Sequence, residues 1–268
     1  MGTAKNSVVE VFDSLASEKA WEDLYSGRID RHSYNFVTRQ RAVEELLASQ
    51  AFRRVLDLGC GTGDLVEFLV SKGAQYTGLD MSPRMIERAY RTHEPQVRSG
   101  HAHFMVGDSE RLPCRENEFD VVSAVGLIEY FPDSRRTLSE IGRVLKPGGL
   151  ALITVPHKSC INFTIRNILA PVRRLLSPLY SKLTTSALSV MQDVKHYHYD
   201  PVELDSLMRN GGFEKDSGRF SNFYLIPHPL DHVVPRLYMK LSEWLDRSSR
   251  SDHFGLLAAN YIALYRRT

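Results

Sequence analysis

The chain has 268 residues, with 34 Lys or Arg against 32 Asp or Glu, so its formal charge at pH 7 is only +2. That near-balance excludes the strong basic excess of an obligate nucleic-acid binder, and no nucleic-acid partner is expected. With 43% hydrophobic and 25% charged residues, the composition excludes disorder over most of the length, and at roughly 150 residues per domain it points to one large domain or one domain with additions. Cys60, Cys114 and Cys160 are sparse and form no CxxC pair, as expected of a reduced, intracellular protein. No apolar run approaches the ~20 residues that span a bilayer. The first residues, MGTAKNSVVE, lack the basic-then-apolar order of a secretory leader. Asn6 breaks the myristoylation pattern. A cytoplasmic location is expected.

Helical and apolar-run patterns alternate from about residue 36 to residue 155. Phe36 to Leu47 carries i, i+3, i+4 apolar spacing and predicts a helix. Arg53 to Leu58 predicts a short strand, Asp64 to Ser71 a helix and Ala74 to Leu79 a strand. Ser82 to Thr92 predicts a helix with Ser82 as N-cap and Pro83 at its first position. His101 to Val106 is a strand. Phe119 to Ala124 is a near-continuous apolar run, as expected of a central parallel strand. Pro132 to Leu145 predicts a helix stopped by Pro147, Gly148 and Gly149, and Leu150 to Val155 another strand. Such alternation means βαβ units and a parallel sheet with helices on both faces. Pro201 to Arg209 then predicts a helix, and strands lie within Phe213 to Leu225 and Leu256 to Tyr265. Two stretches, about 157–198 and 227–253, exceed what the alternation needs.

The sharpest motif is VLDLGCGTGDL, Val55 to Leu65. A strand runs into Gly59-x-Gly61-x-Gly63, and a helix follows at once. Glycines serve where a chain turns tightly and a ligand must approach the backbone, and the free N–H groups of the next helix then face that ligand. A nicotinamide-binding loop would place its third glycine where Asp64 stands. Asp57, at the strand end, would repel a pyrophosphate and suits a ligand bearing an ammonium group. No Gly-Lys-Ser/Thr follows, which excludes a P-loop.

With these motifs the chain resembles a class I S-adenosylmethionine-dependent methyltransferase of the small-molecule, type 11-like branch. The supporting segments are GLDMS at Gly78 to Ser82, GDSERLPCRENEFDVV at Gly107 to Val122 and GRVLKPGGLALIT at Gly142 to Thr154. The resemblance implies a Rossmann-like, seven-stranded, mostly parallel sheet with an antiparallel last strand and helical lid insertions. It divides the chain into N-terminal lid helices (1–50), a cofactor-binding core (51–156), a basic amphipathic insertion (157–198) and a C-terminal sheet part (199–268) with a second insertion at 227–253. It implies S-adenosylmethionine as cofactor. Gly59, Cys60, Gly61 and Gly63 would form the loop under the methionine part, and Asp57 would organise that loop and face the ammonium. Asp80 would accept from both ribose hydroxyls, two acceptor oxygens for two adjacent donors. Met81 would pack on the adenine, and Asp108 would accept from its amino group with Ser109 nearby. Val125 and Gly126 would line the pocket beside the reactive methyl. Tyr25, Tyr34, Arg39 and Arg41 precede the first strand, where relatives often place a lid. Tyr25 and Arg39 are assigned to the cofactor, an Arg there pairing with its carboxylate.

One position departs from the family. Many relatives carry Glu-His after the fourth strand, whereas this chain reads GLIEYFPD, with Tyr130 at the histidine position. A nitrogen acceptor needs no base, but a phenol or carbon acid usually does, and histidine is the commonest. His157, His196, His198, His228 and His232 are the candidates, and the catalytic assignment is His196, His198, His228 and Tyr130. The HxH spacing puts His196 and His198 on one face of an extended segment. No carboxylate cluster accompanies them, so no metal is assigned. No Asn/Asp-Pro-Pro-aromatic tetrad of a nucleobase amino methyltransferase is present, and Cys114 precedes the fourth strand, misplaced for a cytosine-C5 mechanism. A histidine lining the cavity beside Gly126 and Tyr130 would favour an oxygen or carbon acceptor. A purely aromatic box would favour nitrogen or an electron-rich alkene.

Residues 157–192 hold Lys158, Arg166, Arg173, Arg174 and Lys182 and no acidic residue. Their apolar residues recur at helical spacing, interrupted by Pro171 and Pro178. A solvated lid, a lipophilic acceptor pocket with a basic mouth, and a seat on an anionic membrane all suit this pattern. The expected function is methyl transfer to a small, lipophilic and anionic acceptor of prenyl, quinone-like or polyketide-like type, with peripheral contact to an anionic membrane as a further partner. RNA or protein methylation, a non-catalytic cofactor-binding subunit and a NAD-dependent oxidoreductase are the rival readings.

Overall fold

The computed structural model describes residues 2–16, 34–161, 195–223, 235–248 and 252–268. Seven strands form one sheet: β1 (Arg54–Leu58), β2 (Gln75–Asp80), β3 (Ala102–Val106), β4 (Phe119–Ala124), β5 (Leu145–Pro156), β6 (Phe213–Phe223) and β7 (Ala258–Arg267). Their order is β3-β2-β1-β4-β5-β7-β6. The first five run parallel, and β7 lies antiparallel between β5 and β6. The chain builds outward from β1 to β3 and then crosses back to β4 on the other side of β1. The carboxyl ends of β1 and β4 therefore flank a topological switch point, where ligands of open α/β sheets bind.

The described helices are α1 (Gly2–Ala16), α2 (Tyr34–Leu47), α3 (Val66–Ser71), α4 (Pro83–Thr92), α5 (Glu94–Arg98), α6 (Arg135–Val144), α7 (Pro201–Asn210) and α8 (Pro235–Ser248). Side chains alternate across the sheet, so successive residues of one strand enter two different cores. Leu56, Ile153, Ala263 and Tyr265 pack with Leu138 and Ile141 of α6 and Met208 of α7. Val55, Leu152, Ile262 and Leu264 pack with Val43 and Leu47 of α2, Leu69 of α3 and Ala89 of α4. Strands covered on both faces explain the continuous apolar runs at β1 and β4. Ser82 caps α4, its hydroxyl oxygen accepting from Met85 N at 3.1 Å with Pro83 following, as the sequence predicts.

Boundaries shift where local chemistry competes. The helix predicted from Pro132 starts at Arg135, because the Asp133 carboxylate accepts from Arg135 N and its guanidinium and holds a turn instead. The strand predicted over Leu150–Val155 spans Leu145–Pro156. Phe119 pairs with Leu145 and Val121 with Leu150, so the turn-forming Lys146–Gly149 bulges out of a strand that continues on either side. The helix predicted from Asp64 starts at Val66, after the Thr62 hydroxyl bonds Asp64 at 3.0 Å. Of the two surplus stretches, 162–194, 227–234 and 249–251 lie outside the described residues, and so does most of the amphipathic pattern read over 157–192. The described part of 227–253 is chiefly α8. Among the described residues no helix is long and apolar enough to cross a membrane.

Candidate active site

The loop after β1 is held from both sides. Gly59 N and Cys60 N both donate to Leu79 O, at 2.8 and 3.2 Å, which ties the loop to the end of β2. Gly63 has φ +86, and a Cβ there would meet the His93 ring at 2.9 Å. His93 is buried, with Nε2 3.1 Å from Thr62 O, and burial lowers its pKa. A neutral ring thus props the loop from below.

Two carboxylates border this loop. Asp57 is buried at the end of β1 and accepts from the Tyr76 hydroxyl at 2.9 Å and the Ser123 hydroxyl at 2.6 Å. It therefore clamps β1, β2 and β4 at the switch point. Burial pushes its carboxyl up to about 6, against the pull of those two bonds. Asp80 ends β2 and accepts from Gly61 N at 2.9 Å and Ser82 N at 2.8 Å. Burial raises its pKa, and Asp13 of α1 adds to the rise. Cys60 is buried, and desolvation and then the charges of Asp80 and Asp57 raise its thiol, which keeps it from acting as a nucleophile.

The remaining cofactor candidates follow the other strands. Met81 is half-buried beside Asp80. Asp108 lies in the turn after β3, accepts from Glu110 N at 2.9 Å and closes a short bridge with Arg111. Ser109 is buried, its hydroxyl 3.4 Å from that of Thr137. Val125 is half-buried past β4, and Gly126 N donates to the Thr154 hydroxyl at 2.8 Å. Gly126 has φ +66, and a Cβ there would meet Arg39 Nη1 at 2.8 Å. The glycine thus makes room for the guanidinium, which also lies over the Phe36 ring. Tyr25 lies outside the described residues.

A second constellation adjoins Gly126. The turn Ile128–Tyr130 presents Tyr130, whose ring centroid is 4.9 Å from that of His196. Phe12 of α1 meets Tyr130 edge-on at 5.5 Å. Tyr197 N donates to Glu129 O at 2.7 Å, which docks the segment carrying His196. His196 Nδ1 is 3.9 Å from Glu129 Oε1. Burial pushes the Glu129 carboxyl up to about 7, opposed by the charge of Arg39. His198 is half-buried on the same segment. His157 is taken up by the fold: it is buried, tilted on Phe220 at 5.2 Å, with Nδ1 3.2 Å from Ala258 O. His228 and His232 lie outside the described residues. The sequence marks Tyr130 as a candidate but gives Glu129, Phe12 and His93 no role. Glu129 alone carried a signal, a carboxylate next to apolar Ile128 just past the fourth strand.

Residues 56–153 match the methyltransferase domain family. The chain is 31% identical over 234 residues to a ubiquinone/menaquinone biosynthesis C-methyltransferase of Acidiphilium cryptum, covering 81% of this chain and 87% of that one. It is 35% identical over 226 residues to a demethylmenaquinone methyltransferase of Thermotoga maritima, covering 80% and 90%. The chain belongs to the class I S-adenosylmethionine-dependent methyltransferases. Magnesium protoporphyrin IX methyltransferase of Synechocystis, solved with S-adenosylmethionine bound, has a TM-score of 0.64 at 15% identity, covering 100% of this chain and 99% of that one, a likeness of fold.

The donor set of this methyltransferase fits its cofactor. Asp57, Asp80 and Asp64 each act on the Cys60 thiol, so the loop sits in a negative field that suits a ligand carrying ammonium and sulfonium charges. Asp80 is anchored by backbone N–H groups rather than by a cation, which leaves its charge uncompensated by any side chain in that contact.

Proposed function

We propose that this methyltransferase methylates a small, lipophilic ring acceptor of the quinone type, at an oxygen or carbon that must first lose a proton. One observation carries the reading: Phe12, Tyr130 and His196 form a contiguous aromatic group beside Gly126. Two edge-packed rings suit a flat apolar ring, and the histidine supplies a base where a nitrogen acceptor would need none. The two relatives, a ubiquinone/menaquinone biosynthesis C-methyltransferase and a demethylmenaquinone methyltransferase, support the same acceptor class.

The cofactor brings an electrophilic methyl on a sulfonium. The chain's task is to hold the acceptor atom in line with it, about 3 Å away, and to keep water out. The glycine loop, Asp57, Asp80, Met81, Asp108 and Ser109 would bind the cofactor, Val125 and Gly126 would border the reacting end, and Arg39 would take the cofactor carboxylate. Helix α1 spans both halves, since Asp13 bonds Ser82 while Phe12 packs on Tyr130. Labelled-methyl transfer tests the reading. Reduced, prenylated hydroquinones lacking one ring methyl or O-methyl should be labelled in preference to amines, tRNA and protein. Preferential labelling of RNA or protein would overturn it.

A peripheral seat on an anionic membrane accompanies this reading. It is supported by α8, where Trp244 is 61% and Leu241 41% exposed with Lys240 and Arg247 exposed beside them.

A further inference from the structure

Glu129 is a buried carboxylate that cofactor binding does not use. Its side chain is 7% exposed, whereas that of His196 is 28% exposed. The carboxylate is therefore shielded behind a ring that stays reachable. Its backbone carbonyl accepts from Tyr197 N, so the residue fixes the His196 segment through its main chain and faces the imidazole with its side chain. Among the described residues, the charged and titratable groups that act on it or face it are these. Arg39 comes from α2, His196 and Tyr199 from the segment after residue 194, and Tyr130 from its own turn.

We propose that Glu129 is the positioning residue of a proton-accepting pair, in which His196 takes the acceptor's proton and Glu129 holds the resulting imidazolium. The inference rests on the acceptor reading above only for the identity of the proton donor. The step balances. The acceptor O–H or C–H proton moves to His196, and the electron pair left on the acceptor atom forms the new bond to the methyl carbon. The pair of the broken carbon–sulfur bond stays on sulfur, and the proton passes from His196 to solvent. A carboxylate 3.9 Å from Nδ1 stabilises the ring only while the ring is charged, which is stabilisation where the charge develops. Burial, which makes the carboxylate costly when alone, makes its pairing with imidazolium worth more. At 3.9 Å the two groups are close enough for the charge of one to bias that of the other.

The test uses Glu129→Gln, Glu129→Asp, His196→Gln and the double variant in the full chain. Glu129→Gln should lower kcat by about 10- to 100-fold with KM nearly unchanged, and move the acid limb of the pH profile to lower pH. Glu129→Asp should restore part of the rate. The double variant should be no slower than His196→Gln alone, because the two residues act as one device. An acceptor-independent readout separates this pair from the acceptor reading. The His196 Cε1 resonance should titrate in two inflections in the wild type and one in Glu129→Gln. Identical titration curves in both proteins, or rate losses that multiply in the double variant, overturn the pair. Coupled titration with no turnover of any hydroquinone leaves the pair standing and overturns the acceptor class.

Discussion

The hydroxyl of Ser82 donates to the carboxylate of Asp13, linking α1 to the residue that caps α4. Ser82 also donates its backbone N–H to Asp80. One residue thus joins the N-terminal helix to the carboxylate assigned to the ribose. The link registers α1 to the end of β2, and the adjacent Phe12 closes on Tyr130.

Removing that link should loosen the cover. Asp13→Ala leaves the buried Ser82 hydroxyl without its acceptor, a loss of about 1.5–3 kcal/mol for a hydrogen bond to a charged group. The expected result is faster hydrogen exchange throughout α1 and faster cofactor dissociation, with the sheet amides unchanged. Equal protection of α1 in both proteins would show that Leu15 and Phe36, buried together with Met85, hold the helix without Asp13.

Asp80→Ala should weaken S-adenosylmethionine binding by about 1–3 kcal/mol through the lost ribose acceptors. Because the same oxygens hold Gly61 N and Ser82 N, some of the loss comes from a slackened loop. Asp80→Asn keeps one acceptor oxygen and should fall between the two. Titration calorimetry that finds wild-type affinity in Asp80→Ala would detach Asp80 from the cofactor.

Glu129 should make a contribution to stability that falls as pH rises. Its carboxyl goes from 4.5 to about 7 on folding. The native state therefore binds this proton more tightly than the unfolded chain does. The contribution is complete below about 4.5 and is lost as pH climbs through about 7. Asp57, pushed up to about 6, acts in the same sense. Urea unfolding between pH 5 and 8 should thus show a smaller decline in Glu129→Gln, by on the order of 1–3 kcal/mol. Parallel curves for the two proteins would mean that Glu129 is solvated in solution.

What the sequence made legible is what local signals encode. Ser82-Pro83 announces the start of α4, the three glycines announce the loop, and the FDVVSA run announces a strand covered on both faces. These depend on neighbours within a few residues. The acceptor end depends on contacts across the chain. Phe12 meets Tyr130, and Asn35 accepts from both Asn222 at 2.8 Å and Asn260 at 2.6 Å. No periodicity marks such partners before the sheet brings them together. Glu129 illustrates the limit: its place beside Ile128 past the fourth strand marks it in the sequence, but only the arrival of Tyr197 and His196 gives it an environment.

The outer face of α8 should bind anionic lipid. Ser242, Leu245 and Asp246 are buried against the body of the protein, which leaves Lys240, Leu241, Trp244 and Arg247 outward. Glu243, the one carboxylate on that side of the described helix, is shared by Arg247 at 2.7 Å and Arg41 at 4.0 Å, so the surface around Trp244 keeps a cationic excess. A tryptophan flanked by basic residues suits the headgroup boundary of a bilayer, where the ring is partly buried and the cations meet anionic lipid. Vesicles containing phosphatidylserine should pull the protein down in a flotation assay, and vesicles of phosphatidylcholine alone should do so at least several-fold less well. Trp244→Glu should abolish the capture, and Lys240→Gln with Arg247→Gln should remove its dependence on anionic lipid, each without changing cofactor affinity. Capture that ignores lipid charge, or a Trp244-dependent dimer in sedimentation with no capture at all, would assign this face to another partner.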